Sequence, residues 1–151
     1  ARKIFKNYEF TDLFVMWGDL PYITNQTISN LMELHFSHKS DFSFATLTEN
    51  NPYTIVERDE NNDVVSVSEL KDIPPNKRPK KGERDIGLFI FNKDKVFKYL
   101  KQLLNHYHNQ VDEIGFLEIV KVLSDSGLSV NGYEIAKPIE AISFNSKDDL
   151  I

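Results

Sequence analysis

The sequence predicts an α/β fold: one domain with a mixed, mostly parallel sheet, flanking helices and some antiparallel pairing. Three observations carry this. Two apolar runs, residues 12–17 and 86–91, read as strands buried on both faces. Each is followed by a segment whose apolar residues recur at helical spacing. Between them, two short β-rich runs, 53–57 and 64–67, flank the polar turn Asp59-Glu60-Asn61-Asn62-Asp63, which signals an inserted hairpin.

The first run, Leu13-Phe14-Val15-Met16-Trp17, stops on Gly18-Asp19, with Pro21 soon after. Read as a central strand, it delivers a carboxylate at its carboxyl end, where open α/β sheets bind ligands. An Asp there suits a hard cation and its phosphate ligands. The same residues also fit a plain strand and turn. After Pro21, Thr24-Asn25-Gln26-Thr27 offers helix caps. Ile28, Leu31, Met32 and His35 then mark a helix ending near His38, with Leu34 and Phe36 widening its apolar face.

Residues 42–48 alternate with period two and read as a strand, punctuated by Glu49-Asn50-Asn51-Pro52. The hairpin follows. Residues 71–84 hold Pro74, Pro75, Pro79 and Gly82 beside Lys77, Arg78, Lys80 and Lys81, and are expected to form an exposed, mobile loop. The second apolar strand, 86–91, leads to Asn92, a helix cap. Val96, Phe97, Leu100, Leu103 and Leu104 form the expected buried stripe of the next helix. Phe116, Ile119, Val120 and Leu123 mark a further helix that Gly127 can terminate. Residues 128–135 and 138–144 read as two final strands.

Composition bounds the function. The 151 residues suffice for one domain with a sizeable core, and 40% hydrophobic with 27% charged residues is an ordinary globular balance. No apolar run is long enough to span a bilayer, so no membrane partner is expected. With no cysteine there is no disulfide and no thiolate chemistry, which is compatible with a cytoplasmic setting. A net charge of −5 argues against a general nucleic-acid binder. The basic loop lacks aromatic interleaving and reads as solvated. His35 and His38, and His106 and His108, show no recognisable metal spacing and read as structural or surface residues. No Ser-His-Asp arrangement is discernible. The chain begins at Ala1, so a fragment or processed piece is expected.

The order of these pieces resembles the sugar-phosphate nucleotidyltransferases, especially the N-acetylglucosamine-1-phosphate uridylyltransferase group. A strand ending Gly-Asp-x-Pro is matched by Gly18, Asp19 and Pro21. A strand-turn-strand from Asn-Pro to Val-Glu-x-Lys-Asp is matched by Asn51-Pro52 and by Ser68-Glu69-Leu70-Lys71-Asp72. Glu83-Arg84-Asp85-Ile86-Gly87 is similar to Glu-x-Asn-x-Gly, with Asp for Asn. Glu113-Ile114-Gly115-Phe116-Leu117-Glu118 resembles the family's acidic, aromatic helix start, and Phe144-Asn145 its Val-Asn element. Two departures stand out. The family's N-terminal glycine-rich loop, with its Arg and Lys, has no counterpart here. The Gly-Tyr-Gly-Arg segment after Asn-Pro is shortened, without its glycines.

The resemblance implies a Rossmann-like, nucleotide-diphospho-sugar transferase-like fold. Residues 1–151 would form the C-terminal part of such a domain. It also implies nucleotidyl transfer from a nucleoside triphosphate to a sugar 1-phosphate, with release of pyrophosphate, as part of a longer protein. The alternative is a non-catalytic nucleotide-sugar-binding or regulatory module. The implied cofactor is Mg²⁺, with Asp19 and Asn145 as its ligands and Asp19 as the catalytic group. The implied substrate-binding residues are Gly18, Glu69, Asp85 and Gly87. Asp85 in place of Asn implies a changed substrate, and a strand glycine such as Gly87 can equally mark a bulge. The missing glycine-rich loop implies that this chain alone does not turn over. A homo-oligomer is a further expectation.

Overall fold

The computed structural model describes residues 9–107 and 115–144. Its main sheet has four strands in the order β1-β5-β2-β6. These are β1 (Asp12–Met16), β2 (Phe42–Asn50), β5 (Lys81–Asn92) and β6 (Val130–Glu134). The hairpin forms a separate two-stranded sheet from β3 (Thr54–Arg58) and β4 (Val64–Glu69), as its turn sequence predicts.

The mixed α/β class is as expected, but the pairing balance differs. Among the described strands the one parallel pairing is β2 with β6, whereas β5 pairs antiparallel with both β1 and β2. The order of the strands also corrects the reading of the first apolar run. β5 is central and buried along residues 85–91, and β1 is its neighbour, but β1 is an edge strand of this sheet. Leu13 and Val15 pack on the core, while Phe14 and Met16 on the other side are 38% and 43% exposed. An unbroken apolar run is compatible with burial on both faces but does not require it.

The sheet's two faces have separate cores, as period-two alternation dictates. Phe42, Phe44, Phe89 and Phe91 face α2 (Lys93–Tyr107), α3 (Glu118–Asp125) and the hairpin residues Val56, Val64 and Val67. Ala45, Leu47, Ile86, Leu88 and Ile90 face Leu31 of α1 (Asn25–Ser37). Thr24 caps α1, its hydroxyl accepting from the Thr27 N–H at 3.3 Å. Asn92 caps α2, its side chain accepting from the Lys95 N–H at 3.1 Å.

Gly127, at φ +73°, ends α3. The Leu128 N–H bonds the Leu123 carbonyl at 3.1 Å and the Gly127 N–H bonds the Ser124 carbonyl at 2.9 Å, the paired closure that a left-handed residue permits.

Three smaller expectations change. The basic loop is shorter than expected: residues 81–84 belong to β5, because Glu83 and Arg84 pair across to Thr48 and Leu47. Residues 138–144 are not a strand; Pro138–Ala141 is a 3₁₀ turn held by buried Glu140. That carboxylate accepts from the Thr24 N–H at 2.9 Å, the Thr24 hydroxyl at 2.8 Å and the Lys137 N–H at 2.8 Å. Leu104, expected in the buried stripe of α2, is 55% exposed.

Candidate functional site

The candidate site gathers where the end of β1, the middle of β5 and the start of β3 meet. Its centre is a bulge. Between Phe44 and Thr46 on β2 the partner on β5 jumps from Phe89 to Asp85, so β5 carries extra residues there. Gly87 lies in this bulge at φ +78°, a conformation L side chains resist. A Cβ at this position would lie 1.9 Å from Cδ1 of Trp17. Gly87 is therefore required twice, by its backbone and by the indole packed on it. The backbone N–H of Trp17 also donates to the Gly87 carbonyl at 3.0 Å, extending the β1 ladder past Met16. The indole stands edge-on to Phe89 and Phe116, at 5.6 and 6.0 Å between ring centroids. These contacts fix the chain immediately before Gly18 and Asp19.

Asp85 staples the bulge. Its Oδ2 accepts from the Gly87 N–H at 3.0 Å and its Oδ1 from the Thr54 hydroxyl at 2.7 Å. It is fully buried, and burial pushes its carboxyl above the usual range against the opposing pull of Thr54, the Gly87 N–H and Arg84. Both oxygens thus serve the fold in this structure, one on the bulge and one on the hairpin. Glu83, first residue of the same motif, is likewise engaged internally, by Arg58 and Thr46.

Arg84 lies between these two acids and is 5% exposed. It donates to the Asp85 carbonyl at 3.0 Å, to the Ala141 carbonyl at 3.1 Å and to the Glu49 carboxylate. Its guanidinium carbon sits 4.7 Å from the centroid of the Tyr53 ring. Burial, then Asp85, push the Tyr53 hydroxyl up to about 12, with Asp19 adding to the rise and Arg84 opposing it. Tyr53 thus lies within the fields of both candidate acids and stays neutral at ordinary pH.

Asp19 is half-buried in the turn after β1, and Gly18 beside it is exposed, with nothing within 4 Å of a Cβ built there. The Asp19 carbonyl accepts from the Phe144 N–H at 3.0 Å. Asn145 lies outside the described residues, as do His108, Glu113 and Ile114. Glu69, at the end of β4, pairs with Lys71 at 2.7 Å. A Cβ on Gly115 would meet its Oε1 at 3.6 Å. Glu69 also borders a cleft of about 920 Å³ that runs between β4 and the helices α2 and α3. The Leu70 N–H donates to the Tyr53 carbonyl at 2.7 Å, which ties the Glu69 end of the hairpin to the start of β3.

Among the described residues, no group of three or more His, Asp or Glu is arranged to hold a metal. A cation carried by one carboxylate, waters and phosphate oxygens is compatible with this, and Mg²⁺ is commonly held so. A Ser-His-Asp alignment, not discernible in the sequence, does exist. His35 Nδ1 lies 2.8 Å from Ser43 Oγ, and Nε2 lies 3.4 Å from Asp12 Oδ1. Ser43 and His35 are buried, so this trio bonds α1 to the sheet and has no access to a substrate.

Sequence reasoning missed Tyr53, Thr54, Arg84 and Trp17. Arg84 had a signal: a cation between two acids in a strand otherwise turning apolar. The pairing of Arg84 with Tyr53 had none, because it depends on how the hairpin is placed against β5.

No family model matches the chain. It is 27% identical over 135 residues to the bifunctional protein GlmU of Streptococcus thermophilus, covering 88% of this chain and 29% of that protein. The GlmU of Streptococcus sanguinis is 25% identical over the same span. The chain therefore spans under a third of the length of these curated relatives. Among solved structures it is similar to a nucleoside-diphosphate-sugar pyrophosphorylase from Vibrio cholerae, with a TM-score of 0.63 at 16% identity, covering 93% of this chain and 54% of that one. It is also similar to a CMP:2-keto-3-deoxy-manno-octonic acid synthetase complexed with CTP, with a TM-score of 0.59 at 14% identity, covering 89% and 57%. In sequence the chain resembles the sugar-phosphate nucleotidyltransferases, and its fold is that of the nucleotide-diphospho-sugar transferases.

Proposed function

We propose that this chain forms the metal- and sugar-facing part of a site for nucleotidyl transfer, in which a sugar 1-phosphate oxygen attacks the α-phosphorus of a nucleoside triphosphate and pyrophosphate leaves. Such a displacement needs no protein nucleophile. The protein's contribution is to position the reactants and to offset charge. The observation that carries the reading is the Asp85–Gly87–Trp17 lock, which holds the Gly18–Asp19 turn rigidly at a strand end beside Tyr53. A strand-end carboxylate fixed in this way has the position that α/β sheets use for ligands.

Asp19 and Asn145 would hold Mg²⁺; the contact between the Phe144 N–H and the Asp19 carbonyl brings the chain next to Asn145 to this turn and supports the pairing. When bound, the ion would offset phosphate charge as a Lewis acid. Glu69, half-buried at its cleft beside Lys71, would accept hydrogen bonds from sugar hydroxyls. Gly18 leaves the approach to Asp19 open. Asp85 and Gly87 would contribute by fixing the surface rather than by touching the sugar. A cytoplasmic setting belongs to the same reading.

Calorimetric titration of the chain with sugar 1-phosphates and nucleotide-sugars, with and without Mg²⁺, tests it. Binding that strengthens with Mg²⁺ in the wild type and loses that dependence in Asp19→Ala is the expected result. Binding indifferent to both the metal and Asp19, or no binding, overturns it. A non-catalytic binding module of the same fold is favoured by one observation: Arg84, the buried cation of this surface, is already engaged by Glu49 and two carbonyls. Mg²⁺-dependent binding of a nucleoside triphosphate separates the two readings, since nucleotidyl transfer requires it and a nucleotide-sugar-binding module does not.

A further inference from the structure

We infer that the cleft between β4 and the helices α2 and α3 is a docking groove for an extended basic segment of a partner protein, which adds to the free edge of β4 as a third strand of the hairpin sheet. This role does not depend on nucleotidyl transfer at Asp19.

β4 pairs with β3 on one side, and among the described residues no strand pairs with its other side. The Leu70 N–H donates to the Tyr53 carbonyl, so Leu70 faces β3. Antiparallel strands alternate, which turns Ser68 and Ser66 the same way and points the N–H groups of Val67 and Glu69, with the Val67 carbonyl, away from β3. Such an edge is a template for another strand. Residues 65–69 all line the cleft of about 920 Å³, and α3 stands across it. The edge therefore opens into a groove, and this run of strand is about 13 Å long, enough for a short extended segment. Leu103, Leu117 and Val122 give the groove apolar ground for alternate side chains of such a segment. Charge selects the occupant. The lining acids are Glu57, Glu69, Asp72, Glu118 and Asp125, against Lys71 and Lys121. Both lysines are already paired, Lys71 with Glu69 at 2.7 Å and Lys121 with Asp125 at 3.1 Å. Glu57, Asp72 and Glu118 are exposed and leave the groove with surplus negative charge. A segment in which Lys or Arg alternates with apolar residues answers the backbone edge, the apolar ground and the charge together. An acidic segment would be repelled, and the net charge of −5 on the whole chain adds to that preference.

The experiment uses the 151-residue chain and short synthetic peptides: alternating lysine and valine, alternating glutamate and valine, and the lysine–valine peptide N-methylated throughout. Calorimetry measures affinity, and amide hydrogen exchange followed by NMR locates the bound strand. The lysine–valine peptide is expected to bind and to slow exchange at Val67 and Glu69, while Ser66 and Ser68, which face β3, do not change. The glutamate and N-methylated peptides should bind at least about tenfold more weakly. Glu118→Lys, on the far wall, should weaken the lysine–valine peptide about fivefold, while Glu33→Lys, the same charge change at an exposed position on α1, leaves it within about twofold. Thermal unfolding of each variant checks that the fold is kept. Mg²⁺ and Asp19→Ala should leave peptide affinity unchanged, so failure of the nucleotidyl-transfer reading would not touch this result. No binding, equal binding of the glutamate or N-methylated peptide, or no slowing at Val67 and Glu69 overturns the inference. Slowing at those two amides that grows with protein concentration, without peptide, gives the edge to a second copy of the chain and overturns the assignment of a basic partner.

Discussion

Beyond the core packing of Val56, Val64 and Val67, an ion pair ties the hairpin to the sheet, and its removal is the most informative perturbation of this fold. Arg58 donates to Glu83 twice at 2.8 Å, Nε to Oε2 and Nη2 to Oε1. The same guanidinium donates to the Gly132 carbonyl at 2.9 Å and the Asn62 carbonyl at 3.0 Å, while Glu83 also accepts from the Thr46 hydroxyl at 2.6 Å. One cation therefore joins β3 to β5, to β6 and to its own turn. The side chains are 22% and 17% exposed. Breaking a fully buried pair costs about 3–5 kcal/mol, and breaking an exposed one about 0–1. This bidentate pair lies nearer the buried limit, so discounting for its solvent contact gives about 2–3 kcal/mol for Arg58→Ala. For a chain of this size that corresponds to a fall in Tm of about 4–12 °C.

The pair also has a pH signature. Burial raises the Glu83 pKa, but the hydrogen bonds from Arg58 and Thr46 and the charge of Arg58 outweigh it and hold the carboxyl below its usual value. The unfolded chain then binds more protons than the folded one, so stability rises with pH through the window. The contribution is complete above the ordinary Glu range and disappears as pH falls through the lowered value. Glu83→Gln should flatten this acid limb. Denaturant titrations of Arg58→Ala, Glu83→Gln and the double variant between pH 3 and 7 supply the check. A cost for Arg58→Ala under about 0.5 kcal/mol, the size of an ordinary surface change, would refute the argument.

Four further outcomes follow from the same geometry. Gly87→Ala meets both a positive φ and the Trp17 ring 1.9 Å away, and should cost about 3 kcal/mol or more, with a shift in Trp17 fluorescence. Gly127→Ala has a positive φ but open space, so urea unfolding should register only about 1 kcal/mol. For Asp85 the sign is opposite to Glu83: burial raises its pKa, the folded chain binds more protons, and stability falls as pH rises from the usual Asp value of 3.8 towards the raised one. Asp85→Asn, whose amide can donate to the Thr54 hydroxyl and accept from the Gly87 N–H, should abolish that fall; equal slopes in the two proteins would count against the assignment. The 151-residue chain with Mg²⁺, triphosphate and sugar 1-phosphate should release no pyrophosphate, because the glycine-rich segment that would hold the triphosphate is not among its residues; turnover that Asp19→Ala removes would show otherwise.

Local signals were legible in this sequence to the extent that one element contains its own cause. Thr24, Asn92 and Gly127 end or begin helices through bonds between residues three to five positions apart, and each was readable. The hairpin was readable for the same reason. What escaped was set between elements. The apolar run of β1 does not say whether one neighbour or two will cover it. Leu104 fits the helical period, yet the face it occupies extends beyond the packed stripe. The Ser43–His35–Asp12 bonds join residues on three elements, so no spacing rule announces them. At the site, Gly18, Asp19, Glu69, Asp85 and Gly87 were singled out as a set, and the bulge now gives Gly87 a physical reason. The division of labour among them was not readable, because it depends on which carboxylates the fold buries.

That division follows from charge. Within and around the bulge the fold gathers Glu49, Glu83 and Asp85, and each is engaged by partners inside the chain: Arg84, Arg58 with Thr46, and Thr54 with the Gly87 N–H. A buried carboxylate left without such donors would be costly, so these bonds are a condition of the fold. Once they are made, these acids have little capacity left for a ligand. Around the same bulge Asp19 is half-buried at the strand end, Glu69 pairs with Lys71 at the cleft edge, and the ring of Tyr53 is exposed. On the proposed function, Asp19 and Glu69 form the outer set that would meet a ligand, while an inner set of charged residues keeps the backbone beneath them in register. A substitution in the inner set should move stability and ligand affinity together. A substitution in the outer set should move affinity alone, and that contrast, measured on the same preparations, tells a supporting residue from a contacting one.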